Sequence, residues 1–395
     1  MKAGWETKML GDVAEVIAGQ SPEGSFYNSS GEGLPFYQGK KEFGERFIGA
    51  PTTWTSQITK VAFEGDVLMS VRAPVGPVNF ATQKSCIGRG LSAIRSGKNL
   101  DRNFLFYFLL SKQEKISGTE GAVFASINKN EIQNINIGVP PLPEQKRIVG
   151  ILDGAFAGIA TAKANAEKNL QNARALFESH LNEVFTKKGE RWAEKPLGEV
   201  CDLLNGYAFR SGDAVPESET QLVRMGNLYG NKLDLDRSPV FYPDKFTTDY
   251  RRYILNEGDI IMSLTGTTGK EDYGYAVRIP ESEKTLLMNQ RIAKFDSIRE
   301  DLVNRAFLLH YLRSRVFLDV LYPTANGTRQ ANLSSVTINT LPIPLCSIRE
   351  QKRIALSLES LSEETQRLES IYQQKLSALD ELKKSLLDQA FKGEL

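Results

Sequence analysis

From Ile148 to Val184, apolar side chains return every three or four residues: Ile148, Leu152, Phe156, Ile159, Ala166, Leu170, Ala173, Phe177, Leu181 and Val184. They do so again at Ile354, Leu358, Leu361, Leu368, Tyr372, Leu376, Leu379, Leu382 and Leu386. That spacing lays one apolar stripe along an α-helix at near-heptad period. It predicts two long helices, over 144–185 and 350–391. At 1.5 Å per residue each is a rod of roughly 60 Å. A rod of that length outruns the interior of a small domain, so its partner is expected to be the other copy. Ile148, Leu152, Phe156, Ile159, Leu170, Phe177 and Leu181 are predicted to pack against Ile354, Leu358, Leu361, Leu368, Leu376, Leu379 and Leu386 in an antiparallel pair.

The two helices also begin and end alike. Each follows a proline-rich lead-in, which suits a helix threshold and no other part of a helix. Each opens on Glu-Gln-Lys-Arg-Ile, at Glu144–Ile148 and Glu350–Ile354, and each closes on Phe, at Phe185 and Phe391. The repetition continues upstream. Trp5 precedes Leu10-Gly11-Asp12-Val13, and Trp192 precedes Leu197-Gly198-Glu199-Val200. Glu64–Ser70 matches Glu257–Ser263, and Phe104–Ser111 matches Phe307–Ser314. The offset grows from 187 (192 − 5) to 206 (350 − 144) along the chain, so the second half carries insertions in its loops. Two copies make a pseudo-twofold molecule, not a solenoid.

Within each half the Gly-Asp-Val-Leu-Met-Ser type segment reads as a turn into a short buried strand. Asn103–Ser111 and Asn304–Ser314 read as short helices. The fold class expected is α+β: two globular domains in tandem repeat, separated by two long antiparallel helices forming a coiled-coil-like spacer. The predicted boundaries are 1–143 and 190–349 for the domains, and 144–189 and 350–395 for the helices.

Composition narrows the function. Net charge is +1, with 15 Lys/Arg against 13 Asp/Glu in residues 1–143 and 20 against 21 in residues 190–349. No region carries the basic excess of a protein held by phosphates alone, so a nucleic-acid role must rest on local patches or on partners. Three scattered cysteines, Cys86, Cys201 and Cys346, fit reduced buried thiols in a cytoplasmic protein better than a zinc site or a disulfide framework. No apolar run is long enough to span a membrane. With His180 and His310 the only histidines, most histidine-based catalysis is excluded.

The candidate chemistry is polar and local. Leu264–Glu271 resembles a phosphate loop but lacks its first glycine and its last Ser/Thr. It reads as a Gly/Thr-rich loop that offers backbone donors and Lys270 to a phosphate. Its first-half counterpart is Arg72-Ala73-Pro74-Val75-Gly76. Asn289-Gln290-Arg291 and the matching Gly88-Arg89-Gly90 precede short apolar strands. Asn, Gln and Arg are the side chains that contact adenine and guanine edges in pairs of hydrogen bonds. A carboxylate partner for the arginines is the competing reading. Ala325–Leu333, matching Gly118–Ile127, reads as a polar turn, where local capping competes with base contact. Motifs for amino-methyl transfer, nucleotide hydrolysis and metal-dependent cleavage are missing from the sequence.

Taken together, these residues resemble the specificity (S) subunit of type I restriction–modification systems, the HsdS family. The resemblance covers essentially the whole chain. It rests on Pro141–Ile148 and Glu350–Ile354, on Gly258–Lys270, on Asn289–Ala293 with Gly88–Leu91, and on the tail Leu386–Leu395. It implies two target-recognition domains, each reading one half of a split site in double-stranded DNA. It also implies two modification (M) subunits that methylate adenine with S-adenosylmethionine, and restriction (R) subunits that use ATP and Mg. Those cofactors are expected on the partners, and none on this chain, which would be a non-catalytic subunit. The candidate DNA-contacting residues are Gln38, Lys40, Arg72 and Arg89 in the first domain. In the second they are Thr265, Thr267, Lys270, Asn289, Gln290, Arg291, Arg329 and Gln330. A rigid helical pair would act as a ruler, favouring half-sites centred about 10–10.5 base pairs apart. Two alternatives stand beside this reading. One is the specificity subunit of a related system whose nuclease and methylase share one partner chain. The other is a coiled-coil adaptor that never touches DNA.

Overall fold

The computed structural model describes residues 4–116, 126–189 and 192–395. Most of Gly118–Ile127, with Gly121, lies outside the described residues. The chain is a mixed α+β fold with two long helices, Leu142–Thr186 and Ile348–Lys392. It divides into two compact units. One takes the chain up to Lys168 together with Tyr372–Leu395, and the other takes Asn169–Ile371. Each long helix therefore contributes one part of its length to each unit. No described helix is long and apolar enough to cross a membrane.

Each unit holds a four-stranded sheet of the same order and register. In the first, Leu91–Ser96 lies between Ala14–Ala18 and Val67–Ser70, with Val78–Phe80 beyond. In the second, Ile292–Asp296 lies between Asp202–Asn205 and Ile260–Ser263, with Ala276–Arg278 beyond. Ser92 faces Ala18 as Ala293 faces Asn205, and Met69 faces Val78 as Met262 faces Ala276. A second sheet repeats too. Phe36–Tyr37 runs parallel to Cys86–Ile87, as Leu222–Val223 runs parallel to Leu287–Met288.

The sequence explains these strands. Val67–Ser70 and Ile260–Ser263 are buried along their full length, as a continuous apolar run in a covered strand should be. The aspartate before each strand caps the turn leading into it. Asp66 accepts the Phe63 N–H at 2.8 Å, and Asp259 accepts the Asn256 N–H at 2.9 Å. Arg95 closes on Asp66 at 2.8 Å, and Lys294 lies 3.5 Å from Asp259. All three cysteines are free and buried.

The long helices pack antiparallel within each unit. In the first, Arg147 donates to the Leu395 carbonyl, while Lys163, further along, pairs with Asp380. In the second, Arg174 pairs with Glu369 at 3.1 Å. The helix ends do more than face each other, however. Ile148 and Leu152 join a core that contains Leu10, Phe104 and Ile132, with Phe156 and Leu386 packed on it. Leu181 and Leu358 join a core that contains Phe307, Phe317 and Ile343, with Phe177 and Ile354 packed on it. Ile159 is buried, and Leu170, Leu361, Leu368, Leu376 and Leu379 are half-buried. Leu382 departs from the expected stripe: it is 46% exposed, and Leu387 and Ala390 fill the buried positions instead. A helix period of 3.6 drifts against a strict heptad, so a stripe read over ten turns cannot keep one seam.

Candidate nucleic-acid interface

The duplicated sheets end in a duplicated loop frame. The first loop segment is Gly19-Gln20 in one half and Gly206-Tyr207 in the other. Gly19 donates to the Leu91 carbonyl and Gly206 to the Ile292 carbonyl, both at 3.0 Å. Gln20 donates to Ile87 at 2.9 Å and Tyr207 to Met288 at 3.0 Å. The second segment is the turn Gly88-Arg89-Gly90 or Asn289-Gln290-Arg291. Gly88 donates to Tyr37 at 2.9 Å, and Asn289 to Val223 at 3.1 Å. The third is the end of the buried strand: Val71 donates to Gly90 at 3.0 Å, and Leu264 to Arg291 at 2.9 Å.

This frame brings most of the candidate residues to one edge of each domain. It sets Arg89 in register with Gln290, Arg72 with Thr265, and Gln38 with Arg224. The backbone is shared while the side chains differ.

In the first half Gln38, Lys40, Arg72 and Arg89 are all exposed. The Ser21 hydroxyl donates to Gln38 Oε1 at 3.1 Å and accepts the Arg89 N–H at 3.2 Å. Ser21, Gln38 and Arg89, with Lys41, Glu42 and Thr52, line a cleft of about 550 Å³. Lys40 opens the short 3₁₀ turn Lys40–Glu42 beside it. Arg72 bridges Ser126 through the backbone.

In the second half the candidates divide. Gln290, Arg291, Thr267, Lys270 and Arg329 are exposed. Thr265 is 7% exposed, and its hydroxyl lies 2.9 Å from Met225 Sδ, so it is a packing residue and not a free contact. Arg291 Nη1 approaches the same sulfur at 3.9 Å. Asn289 Oδ1 accepts the Arg291 N–H at 3.1 Å, a local backbone cap that the sequence had not pointed to at this residue.

The expected loop after Leu264 is instead a two-stranded ribbon. Thr265, Gly266 and Thr267 pair with Asn332, Ala331 and Gln330, which also removes the polar turn expected at 330–332. Lys270 sits at its tip, where Gly269 adopts φ +79°. The Thr267 N–H and hydroxyl bond Asp272 at 2.7 and 2.8 Å and hold its carboxyl below the usual range. Gln330 is half-buried along the ribbon.

Sequence reasoning missed Gln20, Tyr207 and Arg224. A signal existed: Gly19 and Gly206 recur at the 187-residue offset of Trp5 and Trp192. These glycines are fixed by close approach. A Cβ on Gly19 would lie 2.2 Å from the Gly88 carbonyl oxygen, and one on Gly206 would lie 2.1 Å from that of Asn289. Gly206→Ala is therefore expected to displace the Asn289–Arg291 turn at a cost of about 1–3 kcal/mol. Gly212, with open space around its Cβ position, should tolerate alanine within about 0.5 kcal/mol. Urea unfolding of the two variants checks both values.

With this geometry in place, the family is defined. Residues 2–171 and 189–377 both match the type I restriction modification DNA specificity domain, and the chain belongs to that family. Among curated relatives, the MjaVIII specificity subunit of a type I restriction enzyme from Methanocaldococcus jannaschii is 23% identical over 406 residues. That match covers 99% of this chain and 93% of the relative. The MjaX counterpart of the same organism is 43% identical over 188 residues, which are 47% of this chain and 43% of that protein. Among solved structures, the HsdS subunit of Thermoanaerobacter tengcongensis superposes at TM-score 0.60. It is 20% identical and covers 100% of this chain and 98% of its own. A chain from a structure of type I R-M complex assembly and conformational transition reaches 0.79 at 20% identity, with 100% and 99% covered.

Proposed function

We propose that this chain is the DNA-reading subunit of a type I restriction–modification complex. It reads a bipartite, asymmetric site in double-stranded DNA and holds the modification and restriction subunits that act there. The observation that carries this reading is the duplicated loop frame: one backbone presents Gln20, Gln38, Arg72 and Arg89 in one half, and Tyr207, Arg224, Gln290 and Arg291 in the other. Two copies of a reading frame suit two half-sites, and different side chains suit different sequences. S-adenosylmethionine, ATP and Mg belong on this reading to the partner subunits, and the chain itself supplies no chemical step.

The test is to express the chain with its modification subunit and map the methylated adenines. Arg89→Ala should relax one base position in one half-site at a cost of about 1–3 kcal/mol, and Arg291→Ala should do so in the other half alone. Lys270→Ala, at the ribbon tip, should weaken all sequences alike and lower the salt dependence of binding by about one unit of slope. One substitution that alters both half-sites would contradict independent reading. Methyl transfer by the purified chain alone would refute the division of labour, and failure of the complex to retain DNA would favour the adaptor reading.

A further inference from the structure

Tyr207 stands apart from the other exposed side chains of the frame because it is supported from below. Its ring lies 4.8 Å from Tyr250, 5.1 Å from Phe209 and 5.3 Å from Tyr253, and it is still 38% exposed. Its backbone is fixed on both sides. The amide donates to Met288, and the carbonyl accepts the Gln290 N–H at 2.9 Å. Gly206 before it leaves no room for adjustment. The ring is thus pre-ordered next to the turn that carries Gln290 and Arg291, and little side-chain entropy remains to be lost on contact.

Three aromatic rings stand against the Tyr207 ring, so what it offers a partner is an aromatic surface held in place. Burial first, and then the neighbouring Tyr207, raises the Tyr250 hydroxyl above its ordinary value. Most of a tyrosine side chain is ring carbon, so the platform offers a partner mainly apolar surface beside one hydroxyl. Arg251 and Arg252 follow on the next turn, both exposed. A rigid, mainly apolar ring, with exposed cations on the turn that follows its Tyr250 support, matches one feature of duplex DNA. The C5-methyl group of thymine is the apolar mark of the major groove, and phosphates lie to either side of it. The first half has Gln20 at the same frame position, a side chain that reads polar edges instead.

We infer that Tyr207, backed by Tyr250 and Tyr253, is a specificity-determining residue that contacts a thymine methyl group in the half-site read by the second domain. This deepens the DNA-reading proposal and rests on it.

The experiment uses the complex of the full chain with its modification subunit, on its mapped target site. Each thymine of both half-sites, on both strands, is replaced in turn by deoxyuridine, which removes only the methyl group. In the wild-type complex one replacement in the second half-site should weaken binding about fourfold, the value of one buried methyl group. Tyr207→Ala should lose about the same on the unmodified site and show no further loss at that position. Tyr207→Phe should retain the discrimination. Scanning the wild-type complex alone keeps the inference falsifiable should the alanine variant misfold. A second half-site without thymine, or one in which no deoxyuridine replacement weakens binding, overturns it. So does a Tyr207→Ala complex that weakens cognate and unrelated DNA equally, because the ring would then be touching backbone. A wild-type complex that shows no sequence preference at all overturns both this inference and the DNA-reading proposal. Preference for the mapped site without any methyl effect overturns the inference alone.

Discussion

Phe185→Ala is expected to destabilise the unit formed by Asn169–Ile371 by about 3–5 kcal/mol, the range for emptying a large aromatic site in a packed core. Phe185 is fully buried where the first long helix meets its domain. Its ring lies 5.2 Å from both Phe307 and Tyr311, edge-on, and 6.4 Å from Trp192. Backbone groups of the surrounding helices cannot collapse into the space that a lost ring would leave, so the cavity cost adds to the lost burial. Phe185→Leu keeps most of the volume and should cost about 1.5 kcal/mol or less. Urea unfolding followed through Trp192 fluorescence measures both. If the alanine variant loses less than about 1 kcal/mol, this helix end is not part of the core.

Gln351→Leu should cost on the order of 3 kcal/mol in the same unit, from three backbone groups left without partners. Gln351 is fully buried. Its Oε1 accepts the Asn304 N–H at 2.8 Å, and its Nε2 donates to the carbonyls of Leu302 at 2.9 Å and Cys346 at 2.8 Å. Gln145 repeats every contact in the first unit. Its Oε1 accepts the Asp101 N–H at 2.7 Å, and its Nε2 donates to Asn99 at 3.0 Å and Pro140 at 2.8 Å. Each glutamine ties three stretches together: the loop before the domain's own short helix, the proline lead-in, and the start of the long helix. Leucine fills the space but bonds to none of the three. Gln145→Leu should lower only the stability of the first unit, read through Trp5 and Trp54, and Gln351→Leu only that of the second. Glutamate at either position should fare no better than leucine, because it keeps the acceptor, loses both donors and buries a charge. A neutral result for Gln351→Leu would mean that the repeated contacts are dispensable and that packing alone sets the direction of the helix.

The two buried glutamines show how far a sequence can be read. Glu-Gln-Lys-Arg-Ile was visible as a repeat, and the helix it opens was visible from its stripe, because periodicity of apolar residues is a local property. What the glutamine does was not visible. Two of its three partners stand 44 to 49 residues earlier in the chain, and only folding brings them to it. Lys146 and Arg147, which look as prominent in the sequence, are exposed.

The candidate interface divides in the same way. Arg89, Gln290 and Arg291 could be singled out because Arg and Gln before a short apolar strand carry base-reading chemistry in their own side chains. Thr265 and Asn289 looked equivalent to them. The structure separates them by giving Thr265 the sulfur of Met225 and Asn289 the amide of Arg291. Tyr207 was overlooked because a lone tyrosine after a glycine carries no signal. It gains its place from Tyr250 and Tyr253, more than 40 residues away in the chain, and from a turn that leaves no space for a Cβ at Gly206.

The sequence by itself therefore determined the duplication, the two long helices, the family and the residue types available for contact, since each is written in spacing or in side-chain chemistry. Only the tertiary structure decided which of those side chains remain free. Hydrogen bonds and burial are settled by neighbours distant in the chain, and the same backbone frame holds Gln20 and Arg89 in one half and Tyr207 and Gln290 in the other.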